Sequence, residues 1–324
     1  MGPRILFCNA KLVFLNYSYK FFCIFVASFK ISRYLKDFCQ AFYYVKMKDT
    51  LKKLREALRP IYGERETEAI IRILFHYLKN WDTTDILIHQ DEELSPYIKE
   101  ETDKILKRLL VHEPIQYITG EARFHGMEFH VTPDVLIPRP ETDELVDLII
   151  KDAGDREDLY VLDIGTGSGC IAISLARSLK FPHITATDIS EKALEVAKEN
   201  AKRLKVKVNF IHEDIFLKTP LGKFDIIVSN PPYIDESEKK SMEKNVLMYE
   251  PHNALFVSDD NPLVFYKRIA EIALASLRNN GSLYLEINPR HGEELCEMLK
   301  NKGFKNIEMI RDFYGKYSFI KSNI

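Results

Sequence analysis

The chain has 324 residues, enough for two domains, and its 46% hydrophobic and 29% charged residues are the balance of an ordinary globular protein. A formal net charge of −2 and a pI near 6.5 argue against a protein that holds nucleic acid by overall charge. The five cysteines (Cys8, Cys23, Cys39, Cys170 and Cys296) form no CxxC pair and no cluster with histidine. They speak against a disulfide framework or a zinc site, so no metal is expected, and a reducing compartment fits best.

Residues 1–46 differ from the rest, being crowded with Phe and Tyr and lacking a sustained period. Phe21 to Phe29 is an apolar run between Lys20 and Lys30, shorter than the about 20 residues that span a bilayer. A basic residue ahead of an apolar stretch also suits a signal peptide, but no small-residue cleavage site follows. The expectation is an atypical leader translated ahead of a true start at Met47. A native peptide covering residues 11–40 would overturn it.

From Met47 to about His112, Leu51, Leu54, Leu58, Ile61, then Ile70, Ile71, Leu74, Leu78, then Ile105 and Leu109 recur at three- and four-residue spacing. This predicts a small domain of four or five short helices over residues 47–113, punctuated by Pro60, Gly63 and Pro96. Residues 114–140 read as a linker with a hairpin, in which Phe124-His125-Gly126 turns into the alternation of Met127, Phe129 and Val131. Ile137-Pro138-Arg139-Pro140-Glu141-Thr142 then fixes an extended corner, with Thr142 or Asp143 expected to cap a helix starting near Glu144. From residue 141 to 324 the pattern is that of a second domain. Apolar runs at 159–163, 184–188, 206–211, 224–229 and 282–287 alternate with helical patterns at 170–180, 190–204, 262–279 and 291–302. Such alternation implies an α/β fold with a mainly parallel sheet. Residues 306–310 and 317–321 are placed as an antiparallel hairpin at its edge.

The first of these strands ends Asp163-Ile164-Gly165-Thr166-Gly167-Ser168-Gly169-Cys170. Glycines let the backbone approach a ligand, and the next helix offers free N–H groups. The sixth position of a dinucleotide fingerprint is Cys170 rather than Gly or Ala, and the Gly-Lys-Ser/Thr of a phosphate loop is absent. A carboxylate before the loop repels a pyrophosphate and suits a cationic ligand end, such as the amino group of S-adenosylmethionine. Asp188, at the end of the second strand, is placed to accept both ribose hydroxyls of either NAD or S-adenosylmethionine. Asp214 and Ile215 stand where an adenine is held, or form a plain turn. Asn230-Pro231-Pro232-Tyr233 ends a strand in a polar tip that two prolines lock, at the sheet edge where ligands bind.

Together, Asp163 to Gly169, Asp188, Asp214 and Asn230-Pro231-Pro232-Tyr233 resemble the motifs of class I S-adenosylmethionine-dependent methyltransferases of the Asn/Asp-Pro-Pro-Tyr type, which modify planar nitrogens. Glu113-Pro114-Ile115-Gln116-Tyr117-Ile118-Thr119-Gly120, Phe124-His125-Gly126 and Ile137 to Thr142, with the helical domain ahead, narrow the resemblance. From about Met47 to the C-terminus the chain is similar to the protein-(glutamine-N5) methyltransferases that act on peptide chain release factors. The resemblance implies a Rossmann-like class I methyltransferase sheet behind a helical substrate-recognition domain. It implies S-adenosylmethionine bound by Asp163, Gly165, Thr166, Gly167, Ser168, Gly169, Asp188, Asp214, Ile215 and Asn230. It assigns catalysis to Asn230, Pro231, Pro232 and Tyr233, and substrate binding to the same four with Arg139 and Glu141. The implied partner is a release factor presenting its GGQ loop in the cytoplasm, with no direct nucleic-acid or membrane contact.

The chain departs from that pattern at Asn288 and His291, where the family has Gly and Gln. It departs again at 313–318, where Asp-Leu-Ala-Gly-x-Asp-Arg reads Asp312-Phe313-Tyr314-Gly315-Lys316-Tyr317-Ser318. Two rival functions remain. One is N6-adenine or N2-guanine methylation of a flipped base, which lacks a basic stripe to support it. The other is a non-catalytic translation-associated binding protein, against which the intact glycine loop and Asn230 argue.

Overall fold

The structure, a computed structural model, describes residues 45–324; apart from Val45 and Lys46, the leader lies outside the described residues. Strand β1 (Val45–Lys46) pairs antiparallel with β2 (Glu93–Leu94). Three- and four-residue spacing gives each helix one apolar stripe that must be covered. α1 (Met47–Lys79), α2 (Thr83–Ile88) and α3 (Pro96–Leu109) cover theirs on one another, burying Leu51, Leu54, Leu58, Ile71, Phe75 and Ile105. α1 is two helices joined at Gly63, whose φ of 72° and ψ of 177° are open essentially to glycine alone. The start of α2 is fixed by a reciprocal box, Asp85 N donating to Asp82 and Asp82 N to Asp85.

The linker contains a turn of helix, α4 (Ile115–Thr119), that the sequence pattern does not announce. The expected hairpin follows, β3 (Glu121–Phe124) against β4 (Met127–His130). It is clamped to the second domain at both ends. His125 N donates to Asp143 Oδ2 at 3.0 Å, and buried Asn200 accepts from His130 N at 2.6 Å while donating to His130 O at 2.9 Å. The helix after the proline corner, α5 (Pro140–Ala153), begins four residues before the expected Glu144. Pro140 is its first residue, where a missing N–H costs nothing, so Thr142 and Asp143 are not caps and their side chains are used elsewhere.

The second domain is built on a seven-stranded sheet: β5 (Tyr160–Ile164), β6 (His183–Asp188), β7 (Asn209–His212), β8 (Phe224–Ser229), β11 (Leu277–Glu286), β12 (Lys305–Arg311) and β13 (Tyr317–Asn323). A separate short pair is β9 (Ile234–Asp235) with β10 (Phe256–Val257). The sheet order is β12-β13-β11-β8-β5-β6-β7. β11 through β7 run parallel, and the C-terminal hairpin is antiparallel with its second strand, β13, on the inside. The third strand starts at Asn209 rather than Val206, after Lys205 turns at a φ of 56°.

Both sheet faces are covered, which is why the strands read as continuous apolar runs. Val161, Ile226 and Val228 pack on α5 and on α6 (Cys170–Ser178). Leu162, Ile227, Leu283 and Leu285 pack on α9 (Val264–Ser276) and α10 (Gly292–Asn301). Between β6 and β7 runs α7 (Glu191–Arg203), and after β9 a short α8 (Lys244–Tyr249). Strand order reverses between β5 and β8, whose last residues, Ile164 and Ser229, are in register. The glycine loop and the Asn-Pro-Pro-Tyr corner therefore leave the sheet side by side, at the switch point where such folds bind ligands.

Candidate active site

A cavity of about 330 Å³ opens there. On one side it is walled by Gly165, Thr166, Gly167 and Ser168, with Asp188, Asp214 and Ile215 beyond them. On the other side stand Asn230, Pro231, Pro232 and Arg139. Asp163, Gly169, Tyr233 and Glu141 do not line it, and the geometry gives the first three supporting places.

The glycine loop is held by backbone. Gly165 N and Thr166 N both donate to Thr187 O, at 2.9 and 3.0 Å, and Gly167 N donates to Asp188 Oδ2 at 2.8 Å. Gly169, at a φ of 83°, starts α6 so close to its neighbours that a Cβ would lie 2.9 Å from Ile173 Cδ1 and 3.1 Å from Ala197 Cβ. Asn200 Nδ2 reaches Ser168 O at 2.9 Å and so ties the loop to the hairpin. Asp163 sits beneath, fully buried, accepting from Thr166 Oγ1 at 2.6 Å. Burial pushes its carboxyl up to about 7, against the pull of that hydrogen bond and of the Ala172 N–H. Asp188 is also raised by burial and is held by Gly167 N and Ser190 N, one on each oxygen. A carboxylate has about four acceptor positions, so two remain for hydroxyls in the cavity.

The Asn230 side is held by side chains drawn from distant parts of the chain. Asn230 Nδ2 donates to Thr142 Oγ1 at 3.1 Å, and Thr142 Oγ1 donates to Glu286 Oε2 at 2.7 Å. Tyr233 OH donates to the other oxygen, Glu286 Oε1, at 3.0 Å. Glu286, 2% exposed, is pushed up to about 7 by burial, which outweighs the two hydrogen bonds. Tyr233 is raised well above its usual range by the same burial. Arg139, beside the proline corner, makes an ion pair with Glu250 at 2.6 Å. Glu250 Oε2 also accepts from Ile137 N. Asn288 donates to Tyr233 O and to Glu238, while His291 and Arg290 hold Asp235. The two departures at 288 and 291 thus brace the segment after the corner.

Three buried oxygens in the cavity wall, Ser168 Oγ, Thr187 Oγ1 and Glu213 Oε2, have no hydrogen-bond partner among the described residues. Buried polar groups of a native protein are rarely left so. With Asp188, Asp214 and Glu213 the wall is acidic, which suits a sulfonium with an ammonium end and a ribose rather than a pyrophosphate.

The comparisons agree with this chemistry. Residues 138–264 match the family described as Methyltransferase small domain, and residues 49–120 the PrmC N-terminal domain. The release factor glutamine methyltransferase of Bacteroides thetaiotaomicron is 45% identical over 272 residues, 83% of this chain and 97% of that protein. The chain belongs to this family. A relative of the same name from Flavobacterium psychrophilum is 46% identical over 83% of this chain and 95% of its own length, and one from Streptococcus pneumoniae 41% over 78% and 90%. Members are methyltransferases, and the cofactor of this enzyme is S-adenosylmethionine.

Sequence reasoning gave no role to Glu286, Thr142 as a hydrogen-bond partner, Glu213 or Glu250. Glu286 carried a usable signal, being a lone acid at the end of the buried run Leu283-Tyr284-Leu285. No local signal ties Thr142 to a residue 144 positions away.

Proposed function

We propose that the protein transfers the methyl group of S-adenosylmethionine to the side-chain amide nitrogen of the glutamine in the GGQ loop of a peptide chain release factor, in the cytoplasm and without contacting nucleic acid or membrane. The observation that carries this reading is the state of the corner. Asn230 Nδ2 is committed to Thr142, while Asn230 Oδ1 and the Pro231 carbonyl, in the cavity wall, accept no hydrogen bond among the described residues.

A carboxamide nitrogen is a weak nucleophile because its lone pair is shared with the carbonyl. Two acceptors, one for each amide hydrogen, localise density on nitrogen and hold the plane of the amide. Asn230 Oδ1 and Pro231 O have the chemistry for this, and the two prolines keep them from moving. Bound S-adenosylmethionine supplies an electrophilic methyl whose sulfur leaves neutral. It is held on this reading by the backbone of Gly165 to Gly169, with Asp188 on the ribose and Asp214 and Ile215 at the adenine; Asp163 fixes the loop through Thr166. With the cofactor bound, the amide nitrogen would gain the methyl as the carbon–sulfur electron pair left with sulfur, and would pass its extra proton to water. The work is positioning and charge stabilisation, with no strong base. Tyr233 supports the corner through Glu286, while Arg139 and Glu141 are assigned to the protein substrate by the family resemblance alone.

The test is incubation with labelled S-adenosylmethionine and either release factor or DNA. Label is expected in release factor alone, and replacing the GGQ glutamine by Ala removes it. Label in DNA, or persistence in the Ala variant, refutes the assignment.

A further inference from the structure

The chain of hydrogen bonds behind Asn230 has a direction. A threonine hydroxyl carries one proton. When Thr142 gives it to Glu286, its oxygen can only accept from Asn230, so the amide must turn its NH2 end to Thr142 and its Oδ1 to the cavity. Tyr233 gives its proton to the second oxygen of the same carboxylate, so the anion is satisfied by donors on both sides. Resting on the reading of Asn230 given above, we propose that Glu286 is a positioning residue for methyl transfer: as an anion it polarises Thr142, and Thr142 sets which end of the Asn230 amide faces the acceptor glutamine.

A neutral Glu286 permits the reverse order. Its own proton then goes to Thr142, the Thr142 proton goes to Asn230 Oδ1, and the amide presents NH2 to the cavity. A donor now meets the N–H bonds of the glutamine, where an acceptor is needed. The groups facing Glu286 are Arg139, Glu141 and Thr142 from the start of α5, Tyr233 from the corner, Tyr266 from α9 and Cys170 from α6. Arg139 favours the anion, whereas Glu141 and above all burial oppose it, which brings the carboxyl to about 7. The relay is therefore poised to lose its polarity as the medium turns mildly acidic.

The readout is the single-turnover rate of methyl transfer to release factor at saturating S-adenosylmethionine, across pH, with cofactor affinity measured separately. Thr142→Val keeps the shape and removes the relay; it is expected to slow transfer about tenfold or more, the effect of losing a hydrogen bond to a charged group. Its cofactor affinity stays within about twofold, and Thr142→Ser restores the rate to within about threefold, since the hydroxyl is back. The wild-type rate falls as pH drops through about 7, and Glu286→Gln, which cannot titrate, is slower and lacks that acid limb. An unchanged limb in Glu286→Gln, or a Thr142→Val rate within about threefold of wild type, overturns the proposal. Asn230→Ala measured alongside separates the two levels. If it kills transfer while Thr142→Val does not, the relay fails and the corner stands; if it leaves transfer intact, the reading of the corner falls and the relay with it.

Discussion

The two walls of the cavity are built by different means. The wall proposed to hold the cofactor is a backbone device: Gly165, Thr166, Gly167 and Gly169 are fixed by main-chain bonds to Thr187 and Thr166 and by the carboxylate of Asp188, all within 25 residues of sequence. The wall proposed to face the methyl acceptor is a side-chain device, in which Asn230, Thr142, Glu286 and Tyr233 converge from three separate elements. A backbone wall is rigid and indifferent to protonation of its own N–H groups. A side-chain wall has polarity that a single proton can reverse. The difference predicts that substitutions on the first wall act on binding and folding, and those on the second on the rate of transfer.

The largest expected effect is on the acceptor wall. Asn230→Ala should lower the transfer rate about 100-fold, the usual cost of removing one preorganised hydrogen-bonding group at a reacting centre. S-adenosylmethionine affinity, measured by calorimetry, should change less than about threefold, because the cofactor wall is untouched. A matched loss of affinity would mean that the two walls are one unit. Next comes Gly169→Ala on the other wall. Its φ of 83° and the 2.9 Å approach of its Cβ to Ile173 together cost about 2 kcal/mol of stability. Thermal unfolding should show that loss, with weakened cofactor binding. Smaller again is Asp188→Asn, which keeps one acceptor but turns an NH2 toward a backbone N–H. It should weaken S-adenosylmethionine binding about tenfold and leave the rate at saturation nearly unchanged.

The same contrast explains what was legible in the sequence. The glycine loop, Asp188 and the Pro-Pro corner are local patterns, in which spacing alone dictates a turn at a strand end. The strands of the sheet were legible because burial on both faces makes each a continuous apolar run; Phe224–Ser229 was found to the residue. The start of α5 was missed because Thr142 and Asp143 look like caps, whereas their side chains serve Glu286 and His125. Glu286, Thr142 and Glu250 could not be joined by pattern, since their partners lie 53 to 144 residues away and only the folded sheet brings them together.

Each wall also contains one buried carboxyl raised to about 7, Asp163 behind the glycine loop and Glu286 behind the corner. In the unfolded chain both titrate near 4, so between about pH 4 and about pH 7 the folded protein holds protons that the unfolded chain has lost. Stability is thus greatest below the unfolded values and is lost as pH rises through the folded ones, by on the order of 1 kcal/mol per pH unit for each group. Urea unfolding of the protein without cofactor at a series of pH values measures this slope. Glu286→Gln and Asp163→Asn should each remove one group's share of it, on the order of 1 kcal/mol per pH unit, but with different companions. Loss of the Glu286 share should coincide with loss of the acid limb in transfer rate. Loss of the Asp163 share should leave that limb in place, because Asp163 touches Thr166 and not Asn230. A limb that followed Asp163 instead would place the proton-sensitive element behind the cofactor loop and reverse the contrast between the two walls.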